Sequence, residues 1–127
     1  MQNLLAIGLG GAIGALLRYG IAIGTSSLIP LQNGFPLGTF IANMLGSFLM
    51  GVLYQSFSQS AGHSEPVRLL LTTGLLGALT TFSTFALEGV NLHRSGDISL
   101  GLTYIVLSNL CGFLLLFGGI TLASRNL

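Results

Sequence analysis

Apolar residues run along the chain in four long stretches, each set off from the next by a short polar or turn-forming interruption. The first extends from about Leu4 to Ile29 and stops where Pro30, Gly34 and Pro36 favour a turn. The second runs from Leu37 to Phe57. A polar loop from Ser58 to Glu65 follows, containing Gly62 and His63, and Pro66 then suits the first turn of a third helix that ends near His93. Arg94, Ser95, Gly96 and Asp97 form the next turn, and a fourth stretch covers Ile98 to Ser124. A helix crossing about 30 Å of hydrocarbon needs about 20 mainly apolar residues, and all four stretches meet that length. The pattern predicts an all-α membrane protein, a single four-helix transmembrane domain over residues 1–127 with spans at 4–29, 37–57, 66–93 and 98–124. The first stretch lacks the basic start of a secretory signal and is too long for a signal's apolar region, so it counts as a membrane helix.

Composition agrees and removes whole classes of activity. Of 127 residues, 51% are hydrophobic and 6% charged, and the mean hydropathy is +0.85. Four Arg, no Lys and three acidic residues leave a net charge of +1, too weak a basic balance for a nucleic-acid partner. The single cysteine, Cys111, cannot form an intrachain disulfide and has no clustered ligands for zinc. Cys111, Asn91, His63 and His93 have no convincing partners by spacing and read as structural. No Ser/His/Asp grouping and no paired carboxylates at matching depth point to an enzyme.

Orientation is almost undetermined by charge. If the spans alternate, Arg68 and Arg125 lie on one side, with Arg94 and a snorkelling Arg18 on the other. That tie predicts insertion in both orientations and assembly as an antiparallel homodimer; the alternative is a single orientation fixed by weaker cues. The nineteen glycines, including Gly10 with Gly14 and Gly20 with Gly24, permit close approach of helix backbones.

Polar residues at membrane depth are costly unless paired or wet, which makes them pointers to function. Thr39, Asn43 and Ser47 recur every four residues and share a face of the second helix, with Gly46 beside them. The Asn43 amide offers two N–H donors without a charge, or else ties two helices together. In the third stretch, Gly74 and Gly77 lead into Thr80, Thr81, Ser83 and Thr84, a β-branched, hydroxyl-rich run that forms helix poorly. A break is expected near Gly77 to Thr80, its freed carbonyls making a cation site and the donors just beyond meeting an anion. The competing reading is a continuous helix whose hydroxyls bond back to its own carbonyls. Phe82 and Phe85, three apart, are neighbours whose positive ring edges suit a partly dehydrated anion, although such a pair more often serves packing. Glu88 in an anion path has to be protonated, paired or bonded to a hydroxyl. Tyr104 and Ser108 continue a hydroxyl track in the fourth helix, Ser108 about 15 Å inside the span. Arg18 can snorkel, cap a helix end or set a positive potential at a pore entrance, and the sequence does not choose.

These residues resemble the Fluc or CrcB-type fluoride channels over essentially the whole chain. The likeness rests on Arg18 in a glycine-rich first helix, on Pro36-Leu37-Gly38-Thr39 leading to Ala42-Asn43, and above all on Gly77-Ala78-Leu79-Thr80-Thr81-Phe82-Ser83-Thr84-Phe85 followed by Glu88. Ala78 stands where a second glycine is common, and Gly112 where some members carry a serine. The resemblance implies a dual-topology, antiparallel homodimer in the bacterial inner membrane that passes fluoride passively through two pores and protects the cell from it. It implies a structural sodium ion at the dimer centre, held by the backbone carbonyls of Gly77 and Thr80. The fluoride pore it implies contains Asn43, Phe82, Phe85, Ser83, Thr84, Glu88, Tyr104, Ser108 and Thr39, with Arg18 at the entrance. The alternative of another class is a small dual-topology, proton-coupled multidrug exporter. Such a protein wants an acid deep in its first helix, where this chain has Arg18.

Overall fold

A backbone in hydrocarbon has to pair its N–H and C=O groups within its own segment, so long apolar stretches become helices. The computed structural model describes residues 1–31, 33–59, 62 and 64–126, the side chain of Asn126 excepted; His63 lies outside the described residues. Helix α1 covers Gln2–Leu28, α2 covers Leu37–Gln59, α5 covers Phe82–Arg94 and α6 covers Ile98–Asn126. Between α2 and α5 lie a short α3 (Glu65–Leu69), a π-helical segment (Leu70–Leu76) and a single turn, α4 (Gly77–Leu79). Among the described residues the secondary structure is all helical, with four helices long and apolar enough to cross a membrane, Gln2–Leu28, Leu37–Gln59, Glu65–Arg94 and Ile98–Arg125.

The third span carries the irregularities. Gly77, Ala78 and Leu79 are helical, but Thr80 (φ −82°, ψ 151°) and Thr81 (φ −148°, ψ 122°) adopt extended dihedrals before α5 begins. Over its whole length Glu65–Arg94 bends only mildly, by 13°. The π-helical turns just upstream have no counterpart in the sequence expectation. One extra residue per turn leaves no mark on an apolar pattern read over a few turns.

Close backbone contact holds the bundle together. The Leu70 carbonyl sits where a Cβ on Gly10 would be, and the Leu75 carbonyl where one on Gly14 would be, so α1 lies directly on the π-helical segment. The α2 to α6 seam, the most extensive in the chain, repeats this device. There Gly51 meets the Leu116 carbonyl and Gly119 meets the Phe48 carbonyl. Without a hydrophobic drive between helices in lipid, packing of this kind supplies much of the attraction. Two small cores result, Ala42 with Leu76 and Leu79, and Phe85 with Leu92 and Tyr104.

The seam gives a direct test. Gly51→Ala places a methyl group on the Leu116 carbonyl and is expected to cost about 1–3 kcal/mol. Gly118→Ala, with nothing within 4 Å, is expected to be neutral or to raise helix stability slightly. Thermal unfolding of the purified protein in detergent separates the two, and equal melting temperatures would contradict the packing described.

Candidate functional site

An extended residue points its own N–H and C=O to the same side, as in a strand that exchanges both bonds with a neighbour. At Thr81 that neighbour is a side chain. The Thr81 N–H donates to Asn43 Oδ1 at 2.8 Å, and Asn43 Nδ2 donates to the Thr81 carbonyl at 3.2 Å. An unbroken helix would have given that N–H to the Gly77 carbonyl. One turn of α2 away, the bare Gly46 leaves room for the Thr80 methyl group. Thr80 closes α4 by donating from both its N–H and its hydroxyl to the Leu76 carbonyl, each at 3.0 Å. Thr81 also opens α5, its Oγ1 accepting from the Thr84 N–H at 3.2 Å and donating to Thr84 Oγ1 at 3.1 Å.

Restarting the helix at Phe82 sets where the two phenyl rings go. Phe82 is 78% exposed whereas Phe85 is buried, and their centroids are 5.7 Å apart. Phe85 packs on Tyr104 at 5.2 Å. Tyr104 is completely buried, and its hydroxyl donates to Glu88 Oε2 at 2.8 Å while Thr39 Oγ1 donates to Glu88 Oε1 at 2.7 Å. Both carboxylate oxygens therefore hold a hydroxyl, one from α6 and one from α2. Of the three states expected for Glu88, the structure displays hydroxyl bonding.

Two depressions flank this triad. An open groove of about 380 Å³ is lined by Asn43, Ser47, Phe82, Phe85, Ser108 and Gly112, among others. A second depression of about 400 Å³ lies between the end of α1 and the start of α2, with Thr39, Glu88 and Phe35 in its wall. Tyr104, buried between Phe85 of the groove and Glu88 of the second depression, links the two. Ser108 Oγ is buried in the groove wall with no hydrogen-bond partner among the described residues. Of the expected residues, Arg18 is half-buried on α1 and lines neither depression, Ser83 is exposed outside both, and Thr84 serves the start of α5. Gly77 is exposed, and a Cβ there would meet only the Thr72 carbonyl, at 3.6 Å, so its backbone is open to close approach.

Two residues escaped assignment from sequence. Ser47 shares the Thr39–Asn43 spacing but was not given a part in the path, and it lines the groove. Phe35, whose N–H is turned onto Asn33 Oδ1 at 3.1 Å, sets its ring edge-on to Tyr104 at 5.4 Å and 85°. Nothing in a loop aromatic before a proline announces that contact.

Comparison with known proteins decides the family. The family described as CrcB-like protein, Camphor Resistance (CrcB) matches residues 5–120. The chain belongs to the CrcB family. It is 44% identical over 113 residues to a fluoride-specific ion channel FluC of Hydrogenobaculum sp., covering 89% of this chain and 90% of the relative. It is 47% identical over 110 residues to one of Ruminiclostridium cellulolyticum, covering 85% and 82%. A third, from Desulfotalea psychrophila, is 40% identical over 127 residues, covering 100% and 96%. With four membrane-length helices, this CrcB chain is a multi-pass membrane protein.

Asn43→Ala leaves the N–H and C=O of Thr81 without their side-chain partner. Each orphaned buried group costs about 1–3 kcal/mol, so the variant is expected to melt clearly below wild type in detergent. An unchanged melting temperature would show that the pairing contributes nothing to stability.

Proposed function

We propose that the protein is a fluoride channel and not an enzyme, passing the ion passively across the bacterial inner membrane and thereby conferring fluoride resistance. The observation that carries this reading is the chain of contacts from Phe85 in the groove wall, through the buried Tyr104, to Glu88 in the wall of the second depression. The relatives named as fluoride-specific channels support the choice of ion. Fluoride is small and tightly hydrated, so its passage needs replacement donors in a narrow path, each holding it weakly enough to let go. Hydroxyls, a carboxamide N–H and the positive edges of Phe82 and Phe85 meet that need without the deep trap a lysine would create. At Glu88 the anion cannot approach the carboxylate directly. Thr39 or Tyr104 has to turn its O–H from Glu88 to the passing ion, and the released carboxylate oxygen takes the bond back when the ion leaves. A negative-inside potential drives the anion outward by about 2.3 kcal/mol per 100 mV.

The working unit in this reading is an antiparallel, dual-topology homodimer set in lipid. The balanced Arg18, Arg94, Arg68 and Arg125 support it, as does the exposure of Phe82 and Gly77 on the single chain. Thr80 and Thr81 then act as the break in the third span. The helical run ending at Leu79 leaves its last carbonyls without helical N–H partners and presents the negative end of its dipole. Carbonyl oxygens of that kind suit a hard monovalent cation. The carbonyls of Gly77 and Thr80 are the ones that would hold a structural sodium ion, whose charge would offset their dipoles. Arg18 supplies positive potential toward the entrance.

Fluoride efflux from potassium-loaded liposomes, followed with a fluoride electrode after addition of valinomycin, tests this reading. Fast efflux that requires valinomycin and brings no matching chloride flux is expected; a silent, well-folded protein would overturn it. Aromatic contacts are worth about 0.5–1.5 kcal/mol, so Phe82→Ile and Phe85→Ile should each slow efflux by up to about tenfold with the dimer intact on a sizing column. Unchanged efflux in both variants would remove the rings from the path.

A further inference from the structure

Asn43 and Asn109 bring carboxamides to the groove, each with one N–H already engaged, by the Thr81 and Ile105 carbonyls. Two hydroxyls of the groove form no hydrogen bond at all among the described residues. Ser108 Oγ is buried without a partner, its residue 8% exposed. Ser47, one turn beyond Asn43 on α2, faces the same groove and forms no hydrogen bond among the described residues. The other serine and threonine hydroxyls of α2 are occupied. Thr39 serves Glu88, while Ser56 and Ser58 donate back to the Val52 and Tyr54 carbonyls, each at 2.8 Å. Donation to a carbonyl one turn back is the ordinary fate of a serine in a membrane helix, and Ser47 does not take it.

Two free O–H groups at membrane depth call for a ligand, because hydroxyls without partners there are costly. The groove wall carries Phe82 and Phe85, whose ring edges are positive, whereas Glu88 lines the other depression. That surrounding favours an anion over a cation.

We propose that Ser47 is a donor of the permeation path, its hydroxyl and that of Ser108 together replacing part of the hydration shell of a small monovalent anion beside Gly112. This inference rests on the channel reading above. The position of Gly112 is part of it. A Cβ built there stands 3.7 Å from Ser47 Oγ and 3.6 Å from Met44 Cε, ordinary contact distances that leave room for a side chain. With glycine at 112, α6 offers no hydroxyl at that level, and α2 supplies one through Ser47.

The test is the same valinomycin-dependent efflux, measured on wild type, Ser47→Ala, Gly112→Ser and the double variant, with the melting temperature of each. Loss of one neutral donor should slow Ser47→Ala by about three- to tenfold. Its melting temperature should stay at the wild-type value, and Gly112→Ser should restore much of the rate by placing a hydroxyl beside the lost one. Equal rates for wild type and Ser47→Ala would overturn the inference and leave the channel reading intact. A loss that Gly112→Ser does not recover, or one accompanied by a lower melting temperature, would assign Ser47 to packing and also overturn it. A wild type that moves no fluoride would instead count against the channel reading itself.

Discussion

Two hydrogen bonds between the Asn43 carboxamide and the backbone of Thr81 answer the extended residue in the third span. Hydrocarbon offers no water to an unpaired backbone group, so an extended residue at that depth has to be answered by protein. Asn43 answers it as a neighbouring strand would, and Gly46 removes the bulk that would hold Thr80 away. The rest of the site follows. Thr81 caps a new helix, Phe85 turns inward onto Tyr104, and Glu88 comes within reach of hydroxyls from α2 and α6 together.

The same arrangement explains how a polar path can exist in so apolar a chain. Asn43, Tyr104, Thr39 and the buried Ser108 carry no charge, and the one carboxylate among them is covered on both oxygens by hydroxyls. In the proposed channel, a permeant anion would meet dipoles that can turn toward it, with no positive charge to capture it. The close seams at Gly10, Gly14, Gly51 and Gly119 bring the surrounding helix backbones into contact.

Much of this was legible in the sequence because length and hydropathy are properties of single segments. The four spans, the hydroxyl run after Gly77 and the Thr39–Asn43–Ser47 face all follow from spacing along one helix. What spacing cannot give is which side chain meets which across helices. The alternatives for Asn43 were an anion donor and an interhelical tie, and the tie to Thr81 is visible only once α2 lies against the third span. Likewise Thr72 and Thr80 bond back to their own helix as a continuous segment would, at 2.8 and 3.0 Å, while Thr81 next to them does not. Phe35 was out of reach for the same reason, since a loop residue acquires its contact with Tyr104 from the fold alone. The π-helical turns of Leu70–Leu76 lie against α1 at Gly10 and Gly14, a contact that the apolar pattern does not encode.

The central claim is that uncharged donors sort a small, strongly hydrated anion from a larger, weakly hydrated one. The most direct measurement is the reversal potential of single-protein currents in a planar bilayer with fluoride on one side and chloride on the other. The account predicts a reversal potential displaced far from zero toward the fluoride equilibrium potential. A reversal potential near zero would mean that the groove passes both halides alike, and would contradict it.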